Sequence, residues 1–576
     1  MNEISGGKLT VDALLQKNVE IIFSLSGGHI FPLYDYAEKS PIRLFVTRHE
    51  QNAVFMAEAW ARLTGKTGTA LVTAGPGFGN ALTAIANAHM ANTPLVLISG
   101  VVGLGAVETL DLQDMRQLPV IEPIVKKALC CQKTERIPEF VDLAYRIAES
   151  GCPGPVYLEI PIDVWNGTVP PEAVKKPTTK IVSRPVDRQG AKTLLQLLQS
   201  ANKPVLIAGS GAYYSGAQEE ITQFVENTGI PVFTAQLGRG VVADTHPFCF
   251  ESSVVIRPGA AFDAVAATDL IILLGNRVSF IYAKGDVFNP DAKIVQVDIN
   301  QREIGRNRSV DLGIVSDIRE FMKEMNRLVA EAGIGQELTA RFSSWIDFLK
   351  EKDKGQKELA AFNWKSNHSP IHHMRICAEV NDFMNQEDDI VVGDGGDTQV
   401  WMSMTRTVRK SGHYLDSGLF GCLGVGLPYA NAAKLKFPNK RVCLVTGDGS
   451  IGLNFMEFET AIRKGLPIVV VICNDKQWGM IRHAQEVKLG RIIQEGSEIG
   501  MVNYHLAVEA LGGWGTLIEK PDDIRPALDR AFASGKTSCI NIITDPEPIS
   551  PGSIALASMG GVDVSRFFGN NLSVEI

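Results

Sequence analysis

The chain has 576 residues, 45% of them hydrophobic and 21% charged, with 54 glycines, nine cysteines and a formal net charge of −8. That length suits three or four domain-sized units, and the acidic balance argues against a nucleic-acid partner, which normally needs a basic face. No run of roughly 18 or more apolar residues is present, so no membrane span is expected. The start, MNEISGGKLTVDALLQ, has neither a basic leader nor an apolar signal core, and the cysteines show no CxxC or HExxH company. Reduced thiols, a cytoplasmic location and no zinc site are the expectation. The vicinal pair Cys130-Cys131 reads as two core residues.

Residues 1–180 alternate amphipathic helices with apolar strands near 20–25, 69–73, 94–99 and 156–160, the pattern of a parallel α/β sheet. The turn Ser26-Gly27-Gly28-His29 closes the first strand and carries an imidazole, a side chain that changes charge near neutral pH. In TRHEQNAVFMAEAWARLTG (47–65), Glu50 falls at a helix start, where an isolated acid would simply complement the helix dipole. The segment from Thr73 holds Gly75-Pro76-Gly77, Gly79 and Asn80, a tight turn leading into a helix of small residues whose 82–90 stretch suits a close helix–helix contact. Gln113 follows in TLDLQDMRQLP.

A Pro/Lys-rich linker (169–180) leads to a second unit, 188–335, with continuous Val/Ile/Leu strands at 204–209, 231–235, 270–275 and 293–298, as expected when both faces of a sheet are covered. Gly209, Gly211, Arg239 and Asp298 could serve a nucleotide there. A charged helical and then polar stretch (337–370) closes this unit.

The third unit, 369–545, repeats the strand–helix alternation. Its first strand runs into Gly395-Gly396 and Gln399, and SGLFGCLGVGLPYANAA (417–433) spaces glycines so that backbone can approach a ligand. Then comes Gly447-Asp448-Gly449-Ser450 at the end of one strand, and Asn474-Asp475 at the end of the next. Ligands gather outside the carboxyl ends of parallel strands. Two carboxylates beside a glycine turn and a helix start suit a hard cation bridging to phosphate, with a carbonyl near Gln477 as a further oxygen. The tail, 546–576, is either a disordered end or a lid, and Ile554, Leu556 and Met559 favour partial order.

The GDGS turn, followed after a helix by the Asn-Asp turn, resembles the diphosphate motif of thiamine-diphosphate (ThDP) enzymes. Together with the Glu50, 73–100 and 417–433 segments, it makes nearly the whole chain similar to the acetolactate synthase, pyruvate oxidase and benzaldehyde lyase group. The resemblance implies three doubly wound parallel α/β domains, binding pyrimidine, a nucleotide or nothing, and diphosphate in turn. It implies ThDP with Mg2+ on Asp448, Asp475 and Gln477. Asp475 is a departure, since this position is usually Asn in that group. Glu50 would hydrogen-bond the aminopyrimidine and act in general acid–base catalysis. Leu423 would wedge between the cofactor rings, with Gly28, Pro76, Asn80, Gln399 and Gly421 beside it. Gly447, Gly449, Ser450, Trp478 and Gly479 would hold the diphosphate end.

His29 and Gln113 match benzaldehyde lyase, and Trp478, Met480 and Ala484 would line the substrate pocket. Ala484 stands where acetolactate synthases carry a tryptophan, which points away from them. The expected activity is cleavage or formation of 2-hydroxyketones, with His29 and Gln113 handling protons on substrate oxygens. The alternatives are an acetolactate-synthase-like ketoacid decarboxylase and carboligase, a 2-hydroxyacyl-CoA lyase, and a catalytically silent nucleotide-binding scaffold. In relatives the middle domain binds FAD, ADP or nothing, and the likeness to flavin-free benzaldehyde lyase tilts the expectation against FAD. A homodimer would be the smallest active unit and a homotetramer the expected assembly.

Overall fold

The computed structural model describes residues 3–175, 177, 184–254 and 257–559. The end of the linker, at 176 and 178–180, and the tail beyond residue 559 fall outside these residues. Three six-stranded parallel sheets follow one another along the chain, as the alternating strand and helix patterns predict.

When the strands of each sheet are numbered in chain order, the first and third sheets share one order, 2-1-3-4-6-5. In the first sheet, Ile21–Ser24 lies between Arg43–Val46 and Gly68–Val72. In the third, Ile390–Gly393 lies between Tyr414–Leu415 and Val442–Gly447, and Val469–Asn474 follows. The order reverses between the first and third strands of each sheet, which opens a crevice at their carboxyl ends. In one sheet that crevice receives the turns 26–29 and 73–77, and in the other the turns 394–396 and 447–449.

The middle sheet has the order 3-2-1-4-5-6, that of dinucleotide-binding folds. The glycines at its switch point pack on the neighbouring strand end. A Cβ added to Gly211 would meet Gly275 Cα at 2.7 Å, and one on Gly209 would meet Asn276 Cα at 2.7 Å. These glycines are therefore explained by backbone contact within the sheet. Arg239 is likewise engaged, in a buried ion pair with Asp244 at 2.9 Å and in bonds to the carbonyls of Ser403 and Arg406. Asp298 accepts from the Asn300 amide at 2.8 Å, and burial pushes its carboxyl up to about 6.

The first and third sheets share one apolar core. Helix Glu50–Thr64, rich in alanine, starts on His49, whose ring accepts from the Gln51 amide, and ends at Gly65 in the left-handed region. It packs against helix Pro76–Met90 and against Gly426–Lys436 of the third domain. Phe55 meets Tyr429 edge to face at 6.1 Å. A buried polar hub fixes the crossing: Asn87 donates to Glu58, and Arg62 donates to the Tyr429 hydroxyl and the Asp416 carbonyl. The small-residue helix 76–90 thus has a partner within its own chain. Helix Gly335–Trp364 links the second and third units.

Candidate active site

One half-site is built around the turn that follows Gly68–Val72. Gly75 has φ +58°, and a Cβ there would lie 3.0 Å from the Gln113 Cβ. A Cβ on Gly77 would lie 2.7 Å from Thr73 Cγ2 and 3.3 Å from Glu50 Oε1. The glycines therefore let Gln113, Thr73 and Glu50 crowd onto one turn. Glu50 is buried, and its Oε2 accepts from Asn80 Nδ2 at 3.0 Å. Gly27 packs on the Thr73 side chain, which places the 27–29 turn against the same spot, and His29 lies over Gly100. His29 Nδ1 and Thr73 Oγ1 are buried without a hydrogen-bond partner. Two unsatisfied polar atoms beside a buried carboxylate mark a place where a polar ligand belongs.

Gln117, which sequence reasoning missed, holds this turn. Its Oε1 accepts from the Gly75 amide at 2.8 Å, and its Nε2 donates to the hydroxyls of Ser99 and Tyr157. A further bond ties the half-site to the third domain. Glu457 Oε1 accepts from the Arg48 amide at 2.8 Å and from Asn52 Nδ2 at 2.9 Å, bracketing Glu50.

The second half-site lies on the third sheet. Asp448 Oδ1 accepts from the Gly449 amide at 2.8 Å, and Oδ2 accepts from the Lys476 amide at 2.9 Å. Lys476 adopts φ +67° to make that bond, a strained conformation that the surrounding structure must stabilise. Asp475 Oδ2 accepts from Gln477 Nε2 at 3.3 Å. Burial first, and then the charge of Asp448, pushes Asp475 up to about 8, and burial pushes Asp448 up to about 6. Two buried carboxyls, one of which raises the other in this way, resist ionising together without a counter-charge. Among the described residues, no group of three or more His, Cys, Asp or Glu side chains is set to hold an ion by itself. The pair therefore fits a cation that brings phosphate and water oxygens with it.

Gly449 lies under the Trp478 ring, where a Cβ would meet Cε3 at 2.7 Å. Trp478 therefore covers the 447–449 turn. Met480 lies against Gly396, and Ala484 is half-buried on helix Gly479–Leu489. Gln399 Oε1 accepts from Ser417 Oγ at 2.8 Å, and Gly418, Gly421 and Gly424 take positive φ.

The loop that carries Leu423 is held by a residue that sequence reasoning did not single out. The buried Asp394 carboxylate accepts from the amides of Gly395, Gly424 and Gly426 at 2.7, 3.2 and 3.0 Å. Ser450 Oγ accepts from the Gly424 amide at 2.8 Å. Asp394 and Ser450 together pin the backbone beside Leu423 to the crevice.

A single carboxylate thus stands at one topological switch point, and a carboxyl pair with a glycine turn at the other. Models of the thiamine pyrophosphate enzyme N-terminal TPP-binding, central and C-terminal TPP-binding domains match residues 4–120, 191–325 and 394–542. A probable acetolactate synthase of Mycobacterium bovis is 32% identical over 95% of this chain and 96% of its own length. A 2-hydroxyacyl-CoA lyase 2 of Caenorhabditis elegans is 32% identical over 96% and 91%, and that of Danio rerio is 30% identical over 96% and 93%. The chain belongs to the ThDP enzymes of the acetolactate synthase group, and it is a ThDP-dependent lyase or carboligase.

Proposed function

We propose that the protein makes and breaks the carbon–carbon bond of 2-hydroxyketones, with Mg2+ as the metal. The observation that supports this most is the grouping of Glu50, Gln113 and Thr73 on the 73–77 turn, with His29 beside it. This gives substrate oxygens an imidazole and an amide rather than a purely apolar wall.

When bound, ThDP supplies a carbon nucleophile and an electron sink for the acyl group. The chain's share is to place and move protons. Glu50, oriented by Asn80, exchanges a proton with the aminopyrimidine side. The unpartnered His29 Nδ1 is free to bond a substrate hydroxyl, and the Gln113 amide can donate to a developing oxyanion. Asp448, Asp475 and the Gln477 carbonyl would hold Mg2+, and the Gly449 and Ser450 amides would meet the diphosphate. Met480 and Ala484 would shape the acceptor side, beneath the cover that Trp478 makes over the diphosphate turn.

A second reading, cleavage of 2-hydroxyacyl-CoA, is favoured by the likeness to the two 2-hydroxyacyl-CoA lyases. We propose further that the enzyme is a dimer at least, with the first domain of one subunit facing the third domain of another. Supplying the protein with ThDP and Mg2+ and offering acetoin, benzoin, a 2-hydroxyacyl-CoA and pyruvate separately tests the reading. Cleavage of an acyloin supports it, cleavage of the thioester alone supports the second reading, and acetolactate from pyruvate with no cleavage contradicts both.

A further inference from the structure

The segment that follows the last strand of the third sheet does not leave the molecule. It runs back over helix Gly479–Leu489 and ends in helix Pro551–Ala557, which packs on that helix and on Asp397–Thr405. Gly552 is the point of closest approach, where a Cβ would meet Val400 Cγ2 at 2.6 Å and Met480 Cε at 3.1 Å. The segment therefore seats Met480 from the side opposite Gly396.

Its fastening is polar and buried. Asp397 Oδ1 accepts from the hydroxyls of Ser550 and Ser553. Asp397 Oδ2 lies 2.8 Å from His483 Nδ1, and His483 Nε2 lies 2.8 Å from the Pro546 carbonyl oxygen. The same carbonyl accepts from Gln477 Nε2 at 3.1 Å and Arg482 Nη1 at 2.9 Å, while Arg482 Nη2 reaches Glu547. The imidazole is 2% exposed and so has no water to adjust to.

A neutral imidazole has one donor nitrogen and one acceptor nitrogen. Both partners of His483, a carboxylate and a carbonyl, only accept. The geometry therefore requires protons on both ring nitrogens. We propose that His483 is an imidazolium clasp that fastens the 546–559 segment over Met480 and the Gln477 loop, and that loss of one of its protons releases the segment. Deprotonation sets a nitrogen lone pair against the Pro546 oxygen and leaves Asp397 as a buried charge without its cation, a strongly unfavourable state.

The groups around the clasp agree. Asp397, on helix Asp397–Thr405, favours the charged ring, and Asp475, in the loop before helix Gly479–Leu489, adds to this only once it ionises. Arg482 on that same helix is paired with Glu547 of the segment. His373, at the start of helix His373–Phe383, is pushed by burial down to about 4 and stays neutral. Asp545, at the foot of the segment, lies by His368 at 3.4 Å. Burial opposes a charge on His483, but the Asp397 bond outweighs it and raises the ring above the usual histidine value. A raised histidine contributes stability that is complete below its unfolded value and is lost as pH rises through the folded one.

Hydrogen exchange on the full-length protein, read on peptides covering 546–559 and divided by intrinsic rates, tests this from about pH 6 to about pH 9. Protection of the segment should fall with rising pH, by up to about tenfold per unit once the clasp titrates, while strand Val469–Asn474 stays protected. In His483→Gln, protection should be low already at the acidic end and flat with pH. Wild-type protection that does not change with pH overturns the proposal, as does a variant that follows the wild-type profile. Repeating the profile in Asp475→Asn, where the carboxyl pair no longer titrates across this range, separates the clasp from that pair: the fall with pH should persist there, and its disappearance overturns the proposal. No cofactor or substrate is used, so failure here is distinguishable from failure of the lyase reading.

Discussion

The first and third domains share a strand order and place ligand-facing turns at the same switch points, yet they solve opposite electrostatic problems. The first offers one carboxylate, Glu50, supported by the Asn80 amide and bracketed by Asn52 and Arg48 bonds to Glu457. The third brings two carboxyls, Asp448 and Asp475, together, and burial raises both, with the Asp448 charge raising Asp475 further. On the proposed function, the same fold yields a proton-transfer group in one place and a cation-anchoring group in the other. The difference arises from which side chain follows each strand.

The comparison breaks most visibly at Glu50. Glu50→Gln keeps the shape and the Asn80 contact but removes the exchangeable proton, so turnover should fall by about 10²- to 10⁴-fold with the melting temperature unchanged. Full turnover in this variant would take the proposed proton-transfer role away from Glu50.

The carboxyl pair gives the next effect. A carboxyl whose folded pKa is raised stabilises the fold below its unfolded value and loses that contribution as pH climbs through the folded one. Thermal melts without metal should therefore weaken as pH rises towards the value of about 8 reached by Asp475. Mg2+ should restore more stability at alkaline than at acidic pH, and Asp475→Asn should flatten the profile.

Gly449→Ala drives a Cβ into the Trp478 ring, which should cost about 1–3 kcal/mol and weaken ThDP binding more than turnover at saturation. Gln117→Leu leaves the Gly75 amide unpaired, at about 1–3 kcal/mol. Its smaller effect should appear in kcat through Gln113 and Glu50, with ThDP affinity preserved.

Much of this was legible in the sequence because parallel α/β units write their strands as apolar runs and their sites as glycine turns at strand ends. Glu50, Asp448 and Asp475 sit at such places. Asp394 was hidden because its three amide partners lie as far away as Gly426, and a carboxylate in a GDGG turn looks like punctuation. Gln117 sits in a short segment with no period to mark it. The Asp397–His483 contact spans 86 residues, and nothing local in either stretch announces it. The middle domain shows the reverse. Its glycines and Arg239 invited a nucleotide, and the structure engages them with backbone and with Asp244.

The division of labour between the two half-sites is tested most directly by titrating ThDP into the protein at fixed Mg2+, by calorimetry, with wild type, Glu50→Gln and Asp448→Asn side by side. Near wild-type binding by Glu50→Gln and loss of binding by Asp448→Asn is the predicted result. Loss of binding in Glu50→Gln with retention in Asp448→Asn would contradict the account.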